Sequence, residues 1–205
     1  MKTHRFAAVI AALLWATAAE CACPNLVDCP EKENDGGVWV VGHSPEFPAA
    51  LIGLTAGGAL WEGDRTRMGA TLWRSVDSAA LSGIVTTGLK LAFQRKRPRQ
   101  SDDPNVWFAG TRYQSFPSGD VSVIAALVTP AIIEYGTTDW PVYALVVLPV
   151  FDMFARIRHK AHWTTDVLAG AVIGAGAGWC AHGLPHPLIV TILPDSLRAG
   201  LMVRF

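Results

Sequence analysis

The chain has 205 residues, 51% hydrophobic and 17% charged, with 17 basic side chains against 17 acidic ones. That is enough for one domain with a sizeable buried core. A formal net charge of zero gives a polyanion no global attraction, so nucleic acid is not an expected partner.

Residues 1–19 read as an address. Lys2, His4 and Arg5 precede the apolar run FAAVIAALLWA, and small residues follow in ATAA. This is the pattern of a signal peptide cleaved near Ala18 or Ala19, or of an uncleaved N-terminal anchor. The expected location is the periplasm, or the inner membrane with the site facing the periplasm. Residues 20–46 make a Cys-bearing linker with Cys21, Cys23 and Cys29, where a Cys23–Cys29 disulfide is expected in an oxidising compartment. Cys180, in a glycine-rich apolar run, reads as a small core residue.

Helix-length apolar runs follow, from Phe47 to Trp61, Ser78 to Phe93, Val121 to Ile133, Trp140 to Ala155 and Val167 to Ala181. They predict an all-α domain over 47–184, a bundle of about five to six helices. Their uncharged stretches, roughly 12 to 15 residues, fall short of the roughly 20 that a membrane span needs. A soluble bundle and a membrane-embedded one both fit. The small residues of GAVIGAGAG permit close helix packing in either solvent. In the tail, 185–205, two β-prone runs flank Pro194-Asp195-Ser196, which predicts a short terminal hairpin.

Three clusters carry the chemistry. Lys90 and Arg97 stand seven apart, so a continuous helix would present both cations on one face before Pro98 ends it. In FPSGDV, Ser118 and Gly119 open a helix whose free amides suit phosphate oxygens, while Asp120 reads either as an ordinary cap or as a competitor for that anion site. In RIRHKAHWTTD, Arg156 adds a third cation. His162 and Asp166 stand four apart there, close enough for the carboxylate to fix the imidazole tautomer. Each cluster alone also has a structural reading: a surface stripe, a helix cap, a buried His to Asp contact. Together they form the inventory for phosphoryl transfer through a phosphohistidine.

The order K-x6-RP (Lys90 to Pro98), PSG (Pro117 to Gly119) and R-x5-H-x3-D (Arg156, His162, Asp166) resembles the three-part signature of the phosphatidic acid phosphatase type 2 and haloperoxidase superfamily. The resemblance implies that Lys90, Arg97, Ser118, Gly119 and Arg156 bind phosphate. It implies that His162 attacks phosphorus and that Asp166 orients it. The partner is then a phosphorylated lipid, of the phosphatidic acid or polyprenyl diphosphate kind, or a small phosphoester, with a membrane nearby. No metal or other cofactor is expected, because the cations are side chains. Two positions depart from the signature. Ala155 replaces a serine, and Asp120 replaces the histidine that protonates the leaving group. Asp120 is therefore a candidate acid, and His159 is the nearest alternative in sequence. Without either, the site becomes a weakly active or non-catalytic binder of lipid phosphate. A vanadate-dependent haloperoxidase is a further reading of the same cradle.

Overall fold

The computed structural model describes residues 27–28 and 36–192. The expected signal segment, the Cys23–Cys29 pair and the second arm of the tail hairpin lie outside them. The elements are α1 (Trp39–His43), α2 (Glu46–Glu62), α3 (Arg67–Phe93), α4 (Gly119–Tyr135), a 3₁₀ segment (Trp140–Val146) running into α5 (Val147–Arg158), α6 (Thr164–His182) and the short α7 (Leu188–Thr191). No strand occurs among the described residues, and each of the five apolar runs from Phe47 to Ala181 lies in a helix. Helix α1 falls within the segment expected as linker.

Helix α4 is the centre of the bundle, with Val121, Ile124 and Ala126 fully buried. It meets α6 along a stripe of glycines at every fourth position. A Cβ at Gly170 would stand 2.5 Å from Ser118 O, one at Gly174 would overlap Ser122 O, and one at Gly178 would stand 2.5 Å from Thr129 Cβ. These contacts are closer than any side chain permits, so the stripe sets the helix separation. Gly174→Val is therefore expected to cost at least the ~1–3 kcal/mol typical of overpacking, measured as a shift in the urea midpoint at constant slope.

Against α3, the contact is polar. Pro130 sits inside α4 and has no N–H for the carbonyl of Ala126. Ser78 Oγ of α3 donates to that carbonyl at 2.7 Å, and Ser82 and Ser122 share a hydroxyl hydrogen bond of 2.7 Å one turn away. The buried hydroxyls thus answer a defect that the proline creates.

Two expectations need correction here. The first arm of the tail hairpin is helical, because the Asp77 carboxylate accepts from Leu188 N (2.6 Å) and Ile189 N (2.9 Å) and so caps the turn of α7. Cys180 is exposed, on the outer side of α6 beside Trp179. Among the described residues one stretch, Trp140–Arg158, is long and apolar enough to cross a membrane.

Candidate active site

Lys90 and Arg97 do not share a helix. Helix α3 ends at Phe93, and Gln94 adopts the left-handed conformation (φ 47, ψ 44) while its N–H bonds Lys90 O. The chain then reverses, and Arg95 turns inward. Its side chain is only 2% exposed. It donates to Asp166 Oδ1 (2.5 Å), Asp28 Oδ2 (2.7 Å), Thr165 Oγ1 (2.7 Å) and Pro104 O, and lies over the Trp107 ring at 4.4 Å. Arg97, two residues on, is half-buried, within the field of Arg99, Arg156, Asp120 and Asp166.

Lys90, on the last turn of α3, donates to Gln114 O at 2.8 Å. Its Cε lies 3.6 Å from where a Cβ on Gly119 would stand, so the lysine passes over the N-terminus of α4. Burial pushes its ammonium down to about 8, and Arg97 adds to the shift. Arg97 is also held below the usual guanidinium range, by burial first and then by Arg99 and Arg156. Cations collected this way repel one another, and an anion among them relieves the repulsion.

Ser118 is the N-cap of α4, yet its hydroxyl makes no cap bond. Ser118 Oγ is fully buried and has no hydrogen-bond partner among the described residues. Its backbone N–H donates to Asp166 O at 2.9 Å, joining the starts of α4 and α6. The first-turn amides of Gly119 and Asp120 have no carbonyl one turn earlier to bond, so they are available to an oxyanion. Asp120 does not cap the helix. Its Oδ2 lies 3.0 Å from Arg156 Nη1, while Arg156 Nε donates to the fully buried Asp152 at 3.1 Å. Two carboxylates thus fix the third cation from both sides.

Helix α6 starts only at Thr164, so His162 stands in the turn before it rather than on one helical face with Asp166. The pair still forms. His162 Nδ1 faces Asp166 Oδ2 at 3.7 Å, in ion-pair range but longer than a hydrogen bond. Asp166 is fully buried and accepts from Ser115 Oγ (2.5 Å), Trp163 N (2.9 Å) and Arg95. Burial raises its proton affinity, but His162, Arg95 and Ser115 outweigh that and hold the carboxyl below its ordinary range. Burial pushes His162 down to about 4; Asp166 opposes this, and Lys90 and Arg97 deepen it. The imidazole is therefore neutral near pH 7, with one nitrogen turned to Asp166 and the other available as a nucleophile.

A match to the PAP2 superfamily covers residues 71–188, more than half of the chain and every residue from Lys90 to Asp166. The chain belongs to the PAP2 superfamily. A Lipid A 1-phosphatase from Porphyromonas gingivalis is 34% identical over 101 residues, which is 49% of this chain and 20% of that protein. The chain thus matches about a fifth of that relative's length. No solved structure matches.

Besides Arg95 and Ser115, which bond Asp166, two residues near the PAP2 site and outside the matched region were not singled out in the sequence. Asp28 accepts from Thr165 N, Thr165 Oγ1 and Arg95. His43 stacks on His159 with ring centroids 4.3 Å apart and 11° between planes. Neither has a spacing signal, although the Ser44-Pro45-Glu46 helix start marks where α1 ends. Of the connector aromatics, Trp107 packs edge-on against Phe93 and Phe116, Tyr113 lies under Lys96 and Arg112, and Phe108 is exposed.

Proposed function

We propose that this PAP2 chain is a lipid phosphatase that hydrolyses a phosphomonoester or diphosphate through a phosphohistidine intermediate. The observation that carries the reading is the convergence of Lys90, Arg97 and Arg156 on the open start of α4, beside a buried neutral His162 backed by Asp166.

The nitrogen of His162 remote from Asp166 attacks phosphorus. The bond to the leaving oxygen breaks, and Asp166 stabilises the positive charge that grows on the ring. Lys90, Arg97 and Arg156, with Ser118 and the amides of Gly119 and Asp120, hold the nonbridging oxygens. These fixed donors need no reorganisation as charge develops, and they supply most of the rate. Water then hydrolyses the phosphohistidine. Asp120 serves this site by holding Arg156 in place.

A lipid substrate is supported by the surroundings. An apolar cleft of about 370 Å³ lies between α4, α5 and α6 and is lined by Val128, Ile132, Met153, Phe154, Leu168 and Val172 among others. Ile157 and Thr164, chain neighbours of Arg156 and Trp163, belong to the same lining. The volume suits part of a hydrocarbon chain. The exposed Leu54, Ile84, Val172 and Trp179, and the apolar Trp140–Arg158 stretch, support membrane association. The relative's name points to the same substrate class.

The test is release of inorganic phosphate from phosphatidic acid and from a polyprenyl diphosphate. Headgroup binding without release would replace the enzyme with a non-catalytic binder. The pH dependence is set by two groups of opposite requirement. His162 must be neutral and Lys90 charged. With an aryl phosphate, whose leaving group needs no proton, kcat/KM corrected for substrate ionisation is expected to hold level between about 4 and about 8. It falls below that window as His162 protonates and above it as Lys90 loses its charge. A profile centred near pH 10 would contradict these assignments.

A further inference from the structure

The alcohol of an alkyl phosphate leaves as an alkoxide unless something gives it a proton, and the side chain at position 120 is already engaged with Arg156. Asp120 faces the Arg156 guanidinium at 3.0 Å, and that guanidinium can only donate. The Asp120 Oδ2 is therefore engaged in positioning Arg156, which leaves only the other oxygen for any further role. His159 is buried beneath another ring.

That ring belongs to His43, at the last position of α1. Helix α1 is pressed onto α5 at Gly42, where a Cβ would stand 2.7 Å from Ala155 Cβ and 2.9 Å from Phe151. Trp39 stacks on Phe151 at 5.7 Å, and Arg158 lies over the Trp39 ring at 5.2 Å. The small residue at 42 therefore delivers the imidazole at 43 to the end of α5 that carries Arg156 and His159. His43 is half-buried, and its Nδ1 is shielded from solvent without a hydrogen-bond partner among the described residues. The polar atom is thus not consumed by a structural bond. The charged and titratable groups that face it are Arg156 and His159 from α5, Arg99 from the connector and His162 from the turn before α6. Arg156 and His162 belong to the proposed phosphate site, and Arg99 acts on Arg97 there.

We infer that His43 protonates the leaving-group oxygen, while Asp120 positions Arg156, with His159 stacked against His43 as its support. The inference rests on the phosphatase reading. In the first half-reaction a P–N bond to His162 forms as the P–O bond to the lipid alcohol breaks. The bond electrons stay on oxygen, which takes a proton from the His43 imidazolium and leaves as the neutral alcohol. In the second, His43 takes a proton from the attacking water. The water oxygen bonds phosphorus, the P–N electrons return to His162, and inorganic phosphate departs.

In the free site, burial first and then Arg156, His159, Arg99 and His162 lower His43 to about 4. A phosphoester offsets the charges of Arg156 and Arg99, so the substrate raises the proton affinity of the group that must serve it. The proton is drawn in with the ester.

The experiment compares two leaving groups. Wild type, His43→Gln, Asp120→Asn and His162→Ala are assayed on a short-chain phosphatidic acid, which releases an alkyl alcohol, and on p-nitrophenyl phosphate, whose leaving group departs without a proton. In His43→Gln the loss on phosphatidic acid is expected to exceed the loss on the aryl ester by about a hundredfold or more, the range of general acid catalysis. The wild-type kcat/KM profile on phosphatidic acid also lies to the acid side of the aryl profile, and His43→Gln removes that difference. His162→Ala loses both substrates alike. Equal losses on the two substrates in His43→Gln, or no loss, overturn the assignment alone, as does a leaving-group-selective loss in Asp120→Asn instead. Wild type that releases phosphate from neither substrate overturns the phosphatase reading itself, and this inference with it.

Discussion

His162→Ala is expected to lower phosphate release by roughly four orders of magnitude or more, the scale on which removing a nucleophile acts. The substitution removes the only atom that forms the covalent bond, while Lys90, Arg97 and Arg156 still bind the substrate. The loss should therefore appear in kcat, with KM changing little. A direct check is to quench the wild type during turnover and look for protein-bound phosphate that survives alkali and is lost in acid, the stability of a phosphoramidate. Such a species should be absent from His162→Ala. Comparable turnover in the variant would leave the cluster as a binding site whose chemistry lies elsewhere.

The second large effect is on stability. Arg95→Met is expected to destabilise the fold by about 3–5 kcal/mol, the cost of removing one partner from a buried ion pair. The guanidinium bridges Asp166, which is fully buried, and Asp28, which is nearly so. A methionine fills the space but leaves two carboxylates without their cation. Urea unfolding measures the loss directly. The pH dependence carries a sign. Asp166 is held below the ordinary carboxylate range, so its contribution is present above that range and is lost as pH falls through its folded-state value. The gap between wild type and Arg95→Met should therefore narrow as the solution is made acid. Arg95→Lys is expected to recover only part, because a single ammonium cannot reach both carboxylates and Pro104 O. A gap that stays constant with pH would mean that Arg95 acts through packing on Trp107 and Trp163 alone.

Much of this was legible in the sequence, for identifiable reasons. The apolar runs mark the helices they lie in because each sits between connectors rich in charge, Pro or Gly, and of those helices α3 starts farthest from its run. Helix α3 begins eleven residues early, at Arg67, since its first turns bury polar Thr71, Ser75 and Asp77 rather than an apolar stripe. Lys90, Ser118, Arg156, His162 and Asp166 could be singled out because each is a reactive or charged side chain beside a helix end. Arg95 could not. In RKRPR it looks like one of four equivalent surface cations, and nothing in its spacing announces that it is buried. His43 was hidden by its segment, which is polar and rich in glycine up to Val38. The five-residue helix that carries it is held by Phe151, Phe154 and Ala155 rather than by its own propensity. Likewise, tertiary contact decided the tail, where Asp77 overrode the strand preference of LIV.

The left-handed residue at Gln94 has a consequence for register. Because the chain reverses there, successive cations of the run that follows are dealt to different surroundings: Arg95 to Asp166 in the interior, Lys96 to the Tyr113 ring, Arg97 among the charges of the phosphate cradle. One residue inserted after Gln94 would leave the run itself intact and shift every assignment by one: the inserted residue would face Asp166, Arg95 would take the place beside the Tyr113 ring, and Lys96 would take the place at the phosphate cradle. The run behaves as an address in which position, rather than charge, is the information. Its length is therefore less free to vary than a basic surface loop of the same composition.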